Sequence, residues 1–345
     1  MPTYAVESGE TSARYIDNTG VGRFFRVSHW MKSVLAPAAT LEGSQPQAHG
    51  LLAQAVRITA TRGLSLFAWF VPALAAGPRP TVILLHGWCG NASNLLPAAQ
   101  ALHQAGFAVL LMESRNHGRS DCDDHSSLPR FAEDLDSAID WLKTLASVNP
   151  TCIVALGHSV GAAAVLLSAS RRQDLAAVVS IAAFAHPEQL MRRWFASRYV
   201  PYWPLAWMIN RSLERVIGAS FDDIAPVNTV AKATCPVLLV HGRQDTVVPV
   251  TDAHRIRQCG FEPNVTLIDC DGTHEAFDDA DGITRDILDF VEGAVRARVA
   301  KSAACVHATA FTVSTKTQQL FARSTVEVAS PDAGEPGYVL RQGVN

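Results

Sequence analysis

Gly157-His158-Ser159-Val160-Gly161 is a G-x-S-x-G pentapeptide set between two contrasting apolar runs. Thr151-Cys152-Ile153-Val154-Ala155-Leu156 before it is short and partly β-branched, the pattern of a buried strand, and Ala162-Ala163-Ala164-Val165-Leu166-Leu167 after it reads as a helix. A serine at such a junction sits on a sharp strand-to-helix turn, its hydroxyl exposed above the sheet edge and its neighbours necessarily small. Gly157 and Gly161 remove β-carbons that would collide in so tight a turn. The pentapeptide alone could be a Gly-rich packing turn. Its flanks make Ser159 a candidate nucleophile and commit this part of the chain to a strand feeding a helix.

The same rhythm runs from about residue 55 to 299. Strand-like segments are expected at 55–60, 64–71, 81–86, 107–113, 151–157, 176–181, 236–241 and 264–269, and helices at 93–104, 128–145, 160–171, 250–259 and 282–299. Strands alternating with helices imply a mostly parallel sheet covered on both faces. The first two strands, joined across Thr61-Arg62-Gly63, are expected as an antiparallel edge. Residues 1–54 read as a lead-in with at most a short helix around Trp30–Leu35. Residues 301–345 are polar and lack a sustained apolar face, and are expected to be a peripheral or disordered tail.

Between about 183 and 225 the alternation breaks. Phe184, Trp194, Phe195, Tyr199, Tyr202, Trp203 and Trp207 lie there, including three of the seven tryptophans. Such density at the C-terminal edge of a sheet is expected to form a small helical lid, its rings divided between the lid's own core and a pocket below. These rings favour an apolar substrate group.

A serine hydroxyl is a weak nucleophile until a base takes its proton, and that base is usually an imidazole oriented by a carboxylate. Asp245 follows a strand and a Gly turn in His241-Gly242-Arg243-Gln244-Asp245, and His274 follows the last strand in Gly272-Thr273-His274, giving the order Ser, Asp, His. Asp222 and Asp223 are rival acids but sit where helix capping explains them. His86, His158 and His241 occupy glycine-rich contexts and read as structural groups lining the site. A tetrahedral intermediate needs donors for its oxyanion. The backbone N–H of Val160 and that of Trp88, in His86-Gly87-Trp88-Cys89-Gly90, are the candidates, with Cys89 as the alternative to Trp88.

Other classes find little support. The formal net charge of −3 leaves no basic footprint for nucleic acid. No apolar run reaches the ~18 residues of a membrane span, and the apolar stretch after Thr61-Arg62-Gly63 lies too far into the chain for a signal peptide. Seven scattered cysteines do not suggest a disulfide framework, so a cytoplasmic, reducing location is expected. The ligand-rich segment Asn116 to His125 lacks the recurring spacing of a metal site. No metal and no cofactor is expected.

Taken in order, Leu84-Leu85-His86-Gly87-Trp88, Ser114-Arg115-Asn116-His117-Gly118-Arg119-Ser120, the pentapeptide at Ser159, His241-Gly242-Arg243-Gln244-Asp245 and Gly272-Thr273-His274 resemble the serine hydrolases of the α/β-hydrolase superfamily, most closely bacterial esterase and serine-peptidase-like branches with short lids. The resemblance spans 55–299. It implies an eight-stranded, mostly parallel sheet with helices on both faces, and ester cleavage through an acyl-enzyme. Amide or thioester hydrolysis would use the same residues, and a non-catalytic ligand-binding member of the fold is the reading from another class. Glu113 and Asn116 depart from a common family form, where Asp and Gly often stand; no mechanistic consequence is expected. Nothing in the sequence fixes the physiological substrate or the oligomeric state.

Overall fold

The computed structural model describes residues 43–199 and 201–322, together with Leu35 and Pro37. Eight strands form one sheet: β1 (Gln54–Thr59), β2 (Ser65–Val71), β3 (Arg79–Leu85), β4 (Ala108–Met112), β5 (Val148–His158), β6 (Leu175–Ile181), β7 (Val237–Gly242) and β8 (Val265–Cys270). Their spatial order is β1-β2-β4-β3-β5-β6-β7-β8. The β1–β2 and β2–β4 pairs are antiparallel, and every pair from β4 to β8 is parallel. The turn between β1 and β2 is a 3-10 turn in which Arg62 and Gly63 take positive φ, so the expected hairpin edge is present.

Side-chain alternation sorts the central strands between two cores. Ile83 and Leu85 of β3, with Ile153 and Ala155 of β5, face helices α2 (Leu128–Leu142) and α3 (Val160–Ala169), where Phe131, Leu135, Ile139 and Val165 meet them. Val82 and Leu84, with Cys152, Val154 and Leu156, face α1 (Leu96–Gln104) and the last helix, α9 (Ala280–Ala322). From α9 the residues Ile283, Ile287, Val291 and Val295 enter that core at four-residue spacing, the stripe of a helix lying on a sheet. Burial on both faces explains why β3, β5 and β6 read as continuous apolar runs.

Two boundaries differ from expectation. Strand β5 begins at Val148, three residues early, because its register with β3 shifts between Arg79 and Thr81 and so tolerates Pro150. The last helix continues to Ala322 instead of ending near Val299. No Gly or Pro interrupts 294–330, and alanines recur there. The chain divides into the units Met1–Arg298 and Val299–Asn345, and of the second only the helical residues to 322 are described. The lead-in helix expected around Trp30–Leu35 lies outside the described residues apart from Leu35.

The insertion between β6 and β7 is helical, as expected. It carries α4 (Pro187–Ala196), a π-type turn (Tyr202–Ala206), α5 (Trp207–Ile217) and the four-residue α6 (Phe221–Ile224). Its rings divide differently from the expectation. Phe184 and Phe221 join the main core and Phe195 is buried, whereas Trp194, Tyr199, Trp203 and Trp207 are exposed, Tyr199 at 96% and Trp203 at 69%. After α6 come α7 (Pro226–Thr229), β7, and α8 (Val250–Cys259).

Candidate active site

Ser159 stands at the end of β5 as the residue capping α3, with φ 55° and ψ −115°. A non-glycine residue at positive φ is strained, and such strain persists only where the surroundings hold it. Here the surroundings are two close backbone approaches. A β-carbon on Gly157 would lie 2.3 Å from the Gly161 carbonyl oxygen, and one on Gly161 would lie 2.4 Å from that of Leu85. Both glycines are therefore required by the turn, as the pentapeptide suggested.

Three loops at the C-terminal ends of the strands converge on this serine. His274, from the loop after β8, places Nε2 3.0 Å from Ser159 Oγ and Nδ1 2.7 Å from Asp245 Oδ2. Asp245 follows β7 and is buried. Its carboxylate accepts only, so His274 Nδ1 must carry the proton, and His274 Nε2 is then the acceptor for the serine hydroxyl. The other Asp245 oxygen accepts the N–H groups of Val247 and Val248 at 2.8 and 2.7 Å. Burial alone would raise the Asp245 pKa. Hydrogen bonds from His241, His274 and the Val248 N–H outweigh it and hold the carboxyl well below the usual carboxylate range.

The His274 and Asp245 loops are also bound to each other. Gln244 N–H donates to the Gly272 carbonyl at 2.9 Å, and Gln244 Oε1 accepts from Gly272 N–H at 2.5 Å. Behind them, His241 Nε2 lies 2.8 Å from the Val248 carbonyl and 3.2 Å from Asp245 Oδ2. Two acceptors face that nitrogen, so it carries the proton. His241 therefore supports the acid from behind, a more specific role than the lining position expected from sequence. Asp222 and Asp223 are used elsewhere: Asp222 Oδ1 lies 2.8 Å from His186 Nε2, and Asp223 N–H is capped by Ser220 Oγ.

His158 and His86 also line the site. His158 Nε2 donates to the His274 carbonyl at 2.8 Å, pinning the loop that carries the imidazole. Burial, the largest effect, lowers the His158 pKa and keeps the ring neutral. His86 is held to about 3, chiefly by burial and then by His117 beside it. Its bonds fix the neutral tautomer: Nδ1 donates to the Gly87 carbonyl at 2.7 Å, and Nε2 accepts Ser114 N–H at 3.2 Å. A second proton would set one N–H against another.

Gly87 brings the backbone of the loop after β3 against the serine, since a β-carbon there would lie 3.1 Å from Ser159 Cβ. The N–H groups of Trp88 and Val160 take no part in hydrogen bonds among the described residues. Val160 is the first residue of α3, where helix N–H groups have no intrahelical partner. The Trp88 ring stacks on Phe131 at 6.3 Å and meets His117 edge-on. Glu113, to which the sequence reading gave no role, is buried and ties two loops together: Oε2 accepts Arg119 N–H at 2.6 Å and Oε1 lies 3.4 Å from Ala92 N–H.

A cavity of about 450 Å³ opens above the serine, lined by residues that include Trp88, Cys89, Leu95, His158, Val247, His274 and Glu275. No described residue of the 183–225 insertion lines it, so among the described residues the expected lid rings do not wall the pocket. The rings could not be placed from composition because aromatic density does not encode which way a helix face turns. His158, His274 and Glu275 present donor atoms within 4.8 Å of one another. Both His274 nitrogens and one of His158 are already hydrogen-bonded, so a cation there would compete with Ser159 and Asp245. In the ligand-rich loop, Asp123 is committed to Arg62, Arg115 and Arg130.

Comparison with known proteins agrees with this architecture. The family model for serine aminopeptidase, S33, matches residues 76–222, a span that includes Ser159 and stops before Asp245 and His274. The YfhR protein of Escherichia coli K12 is 28% identical over 252 residues, covering 70% of this chain and 82% of the relative. YfhR of Salmonella typhimurium LT2 is 30% identical over 230 residues, 64% of this chain and 74% of the relative. Among solved structures, the esterase PF2001 of Pyrococcus furiosus aligns with TM-score 0.60 and 21% identity over 75% of this chain and 97% of its own. Est1E of Butyrivibrio proteoclasticus, bound to ferulic acid, aligns with TM-score 0.56 and 22% identity over 70% of this chain and 100% of its own. These two likenesses concern the fold. A doubly covered, mostly parallel eight-stranded sheet with a serine on a strand–helix elbow defines an α/β hydrolase. The chain belongs to the α/β-hydrolase superfamily, and it is a hydrolase.

Proposed function

We propose that residues 55–299 form a serine hydrolase domain that cleaves carboxylic esters through an acyl-enzyme. The observation that carries this reading is the hydrogen-bonded series from Ser159 Oγ through His274 to Asp245, at 3.0 and 2.7 Å, opening into one cavity. Ser159 Oγ attacks the ester carbonyl while its proton moves to His274 Nε2. Asp245 holds the resulting imidazolium. The carbonyl oxygen takes the negative charge between the N–H groups of Trp88 and Val160. The carbon–oxygen bond to the alcohol then breaks, and the alcohol leaves with the proton from His274. Water repeats the sequence on the acyl-serine, releasing the acid and restoring the hydroxyl.

The family model's description favours a second reading, amide cleavage at a peptide amino terminus. That reaction needs an acidic anchor for the substrate ammonium. The insertion's acids are otherwise engaged: Glu188 with Arg192 and Tyr202, Glu214 with Arg211 and the Phe221 N–H, and neither lines the cavity. Glu275, the acid that does line the cavity, adjoins His274, which meets the leaving group, whereas an amino-terminal ammonium belongs to the acyl half. Ester cleavage therefore leads.

A series of p-nitrophenyl esters from acetate to long acyl chains, beside aminoacyl p-nitroanilides, tests the choice. Ester turnover that disappears in Ser159→Ala is expected, with the chain-length profile reporting the room in the cavity. Turnover of the anilides alone would transfer the assignment to peptide hydrolysis. Inactivity on both would favour a ligand-binding member of the fold.

A further inference from the structure

Among the described residues lining the cavity, Glu275 is the sole Asp, Glu, Lys or Arg. Its carboxylate lies within 4.8 Å of donor atoms on His158 and His274, and it is exposed to the cavity's solvent. It is also unspent: among the described residues the Glu275 side chain accepts no hydrogen bond and makes no ion pair with Lys or Arg. The nearby acids differ in this respect. Asp269 and Asp271 are both held by Arg243, and Asp245 is saturated by four donors. An unpaired carboxylate beside a reaction centre is available to a substrate.

The chemistry fixes which part of a substrate it meets. His274 must return its proton to the oxygen that leaves, so the leaving alcohol lies on the His274 side of Ser159. Glu275 is the next residue in the chain, and its carboxylate lies within 4.8 Å of a His274 nitrogen. The acyl half is held by the other wall, where Trp88 and Val160 donate to its oxygen. We propose that Glu275 selects esters whose leaving alcohol carries a cationic ammonium group. The inference rests on the ester-hydrolase reading and narrows it to a substrate class. It also replaces the apolar preference drawn from the insertion's rings, which do not reach the cavity.

Acetylcholine and 3,3-dimethylbutyl acetate make the test, because they share the acyl group and differ by a quaternary nitrogen in place of a quaternary carbon. Acetate release from the full chain gives kcat/KM for each, and the ratio, cationic over neutral, is the readout. Any effect of a variant on folding or on His274 cancels in that ratio, since both esters use the same machinery. Two unit charges about 4 Å apart in water gain enough to raise the ratio about fivefold, and more where water is partly excluded. The expected ratio is therefore about five or above in the wild type at low salt, falling as salt screens the pair. It should approach one in Glu275→Gln and drop below one in Glu275→Lys. A wild-type ratio of one or less, or a ratio unchanged in Glu275→Gln, overturns the inference while leaving ester hydrolysis intact. The latter result would mean that Glu275 acts only on His274, moving both esters together. Hydrolysis of neither ester, nor of any p-nitrophenyl ester, removes the ester reading and this inference with it.

Discussion

Replacing Gly161 by alanine tests whether the elbow and the oxyanion loop are positioned as one unit. In an ordinary helix the change stabilises by about 0.5–1 kcal/mol, because glycine loses more backbone entropy on folding. At this position the new β-carbon would lie 2.4 Å from the Leu85 oxygen, 2.5 Å from the His86 oxygen and 3.0 Å from the Leu85 carbon. Carbon–oxygen contacts settle near ~3.3–3.6 Å, so helix α3 and the end of β3 must separate by roughly 1 Å. All three obstructing atoms are backbone, and no side chain can rotate away to absorb the change. Overpacking of this kind costs about 1–3 kcal/mol, which exceeds the entropic gain. A net loss of about 1–2 kcal/mol lowers Tm by about 2–8 °C for a domain of this size. The larger effect falls on catalysis, since β3 leads directly into His86, Gly87 and Trp88 while α3 carries Ser159 and Val160. A displacement of ~1 Å between attacking group and oxyanion donors costs about 10²-fold in rate. Thermal melting beside kcat on a p-nitrophenyl ester measures both quantities. A Gly161→Ala protein with undiminished Tm and kcat would refute the claim that this contact sets the site's geometry.

Two further predictions concern stability. Arg115 is fully buried, and Asp134 receives its backbone N–H at 2.8 Å, its Nε at 2.9 Å and its Nη2 at 2.6 Å. Asp134→Ala should cost about 3 kcal/mol by removing the closest of the buried guanidinium's acceptors and leaving it Asp123 and Glu133 at 3.3 Å, and the double change Arg115→Met, Asp134→Leu should recover most of it in urea melts; equal loss in the two proteins would contradict this. In acid, His86 stays neutral in the folded protein down to about pH 3, while its unfolded counterpart protonates near the ordinary 6.5. The unfolded chain thus binds more protons in that window, so stability complete above 6.5 is lost as pH falls toward 3, at about 1.4 kcal/mol per pH unit for this one group. His117 and His158 are lowered by burial and act in the same direction. Asp245, also held low, adds a loss only below the ordinary carboxylate range. His86→Gln should flatten the dependence of ΔG on pH between 6.5 and 4 by about one proton, and an unaltered slope would show that His86 does not titrate on unfolding.

The parts legible in the sequence are those encoded by local pattern. Strands β3, β5, β6 and β7 are short apolar runs bounded by turn residues, and the glycines at 157 and 161 announce a backbone constraint that any fold must satisfy. Ser159, Asp245 and His274 could be singled out because each lies just past a strand end, and the parallel sheet brings such ends to one edge. What stayed hidden depends on tertiary placement. The pairing of Arg115 with Asp134 joins a loop to a helix nineteen residues on, with no periodic signal linking them. Glu113 reads as a neutral variation in sequence, yet its carboxylate lies between the Arg119 and Ala92 backbones. His241 stands four residues before Asp245 with nothing in the sequence to show contact, yet it backs that carboxylate because the chain after β7 folds onto the strand it leaves. The insertion's rings illustrate the opposite error: their composition suggested a pocket wall, but the orientation of the helices turns Trp194, Trp203 and Trp207 outward.

The proposed mechanism turns on Ser159 being the group acylated during turnover. Treating the full chain with a fluorophosphonate, followed by intact-mass measurement and peptide mapping, tests that claim without reference to any natural substrate. One adduct per chain is predicted, located on Ser159, absent from Ser159→Ala and slowed severely in His274→Ala. An adduct on another residue, or none on a folded protein whose Ser159 hydroxyl is open to the cavity, would contradict the mechanism.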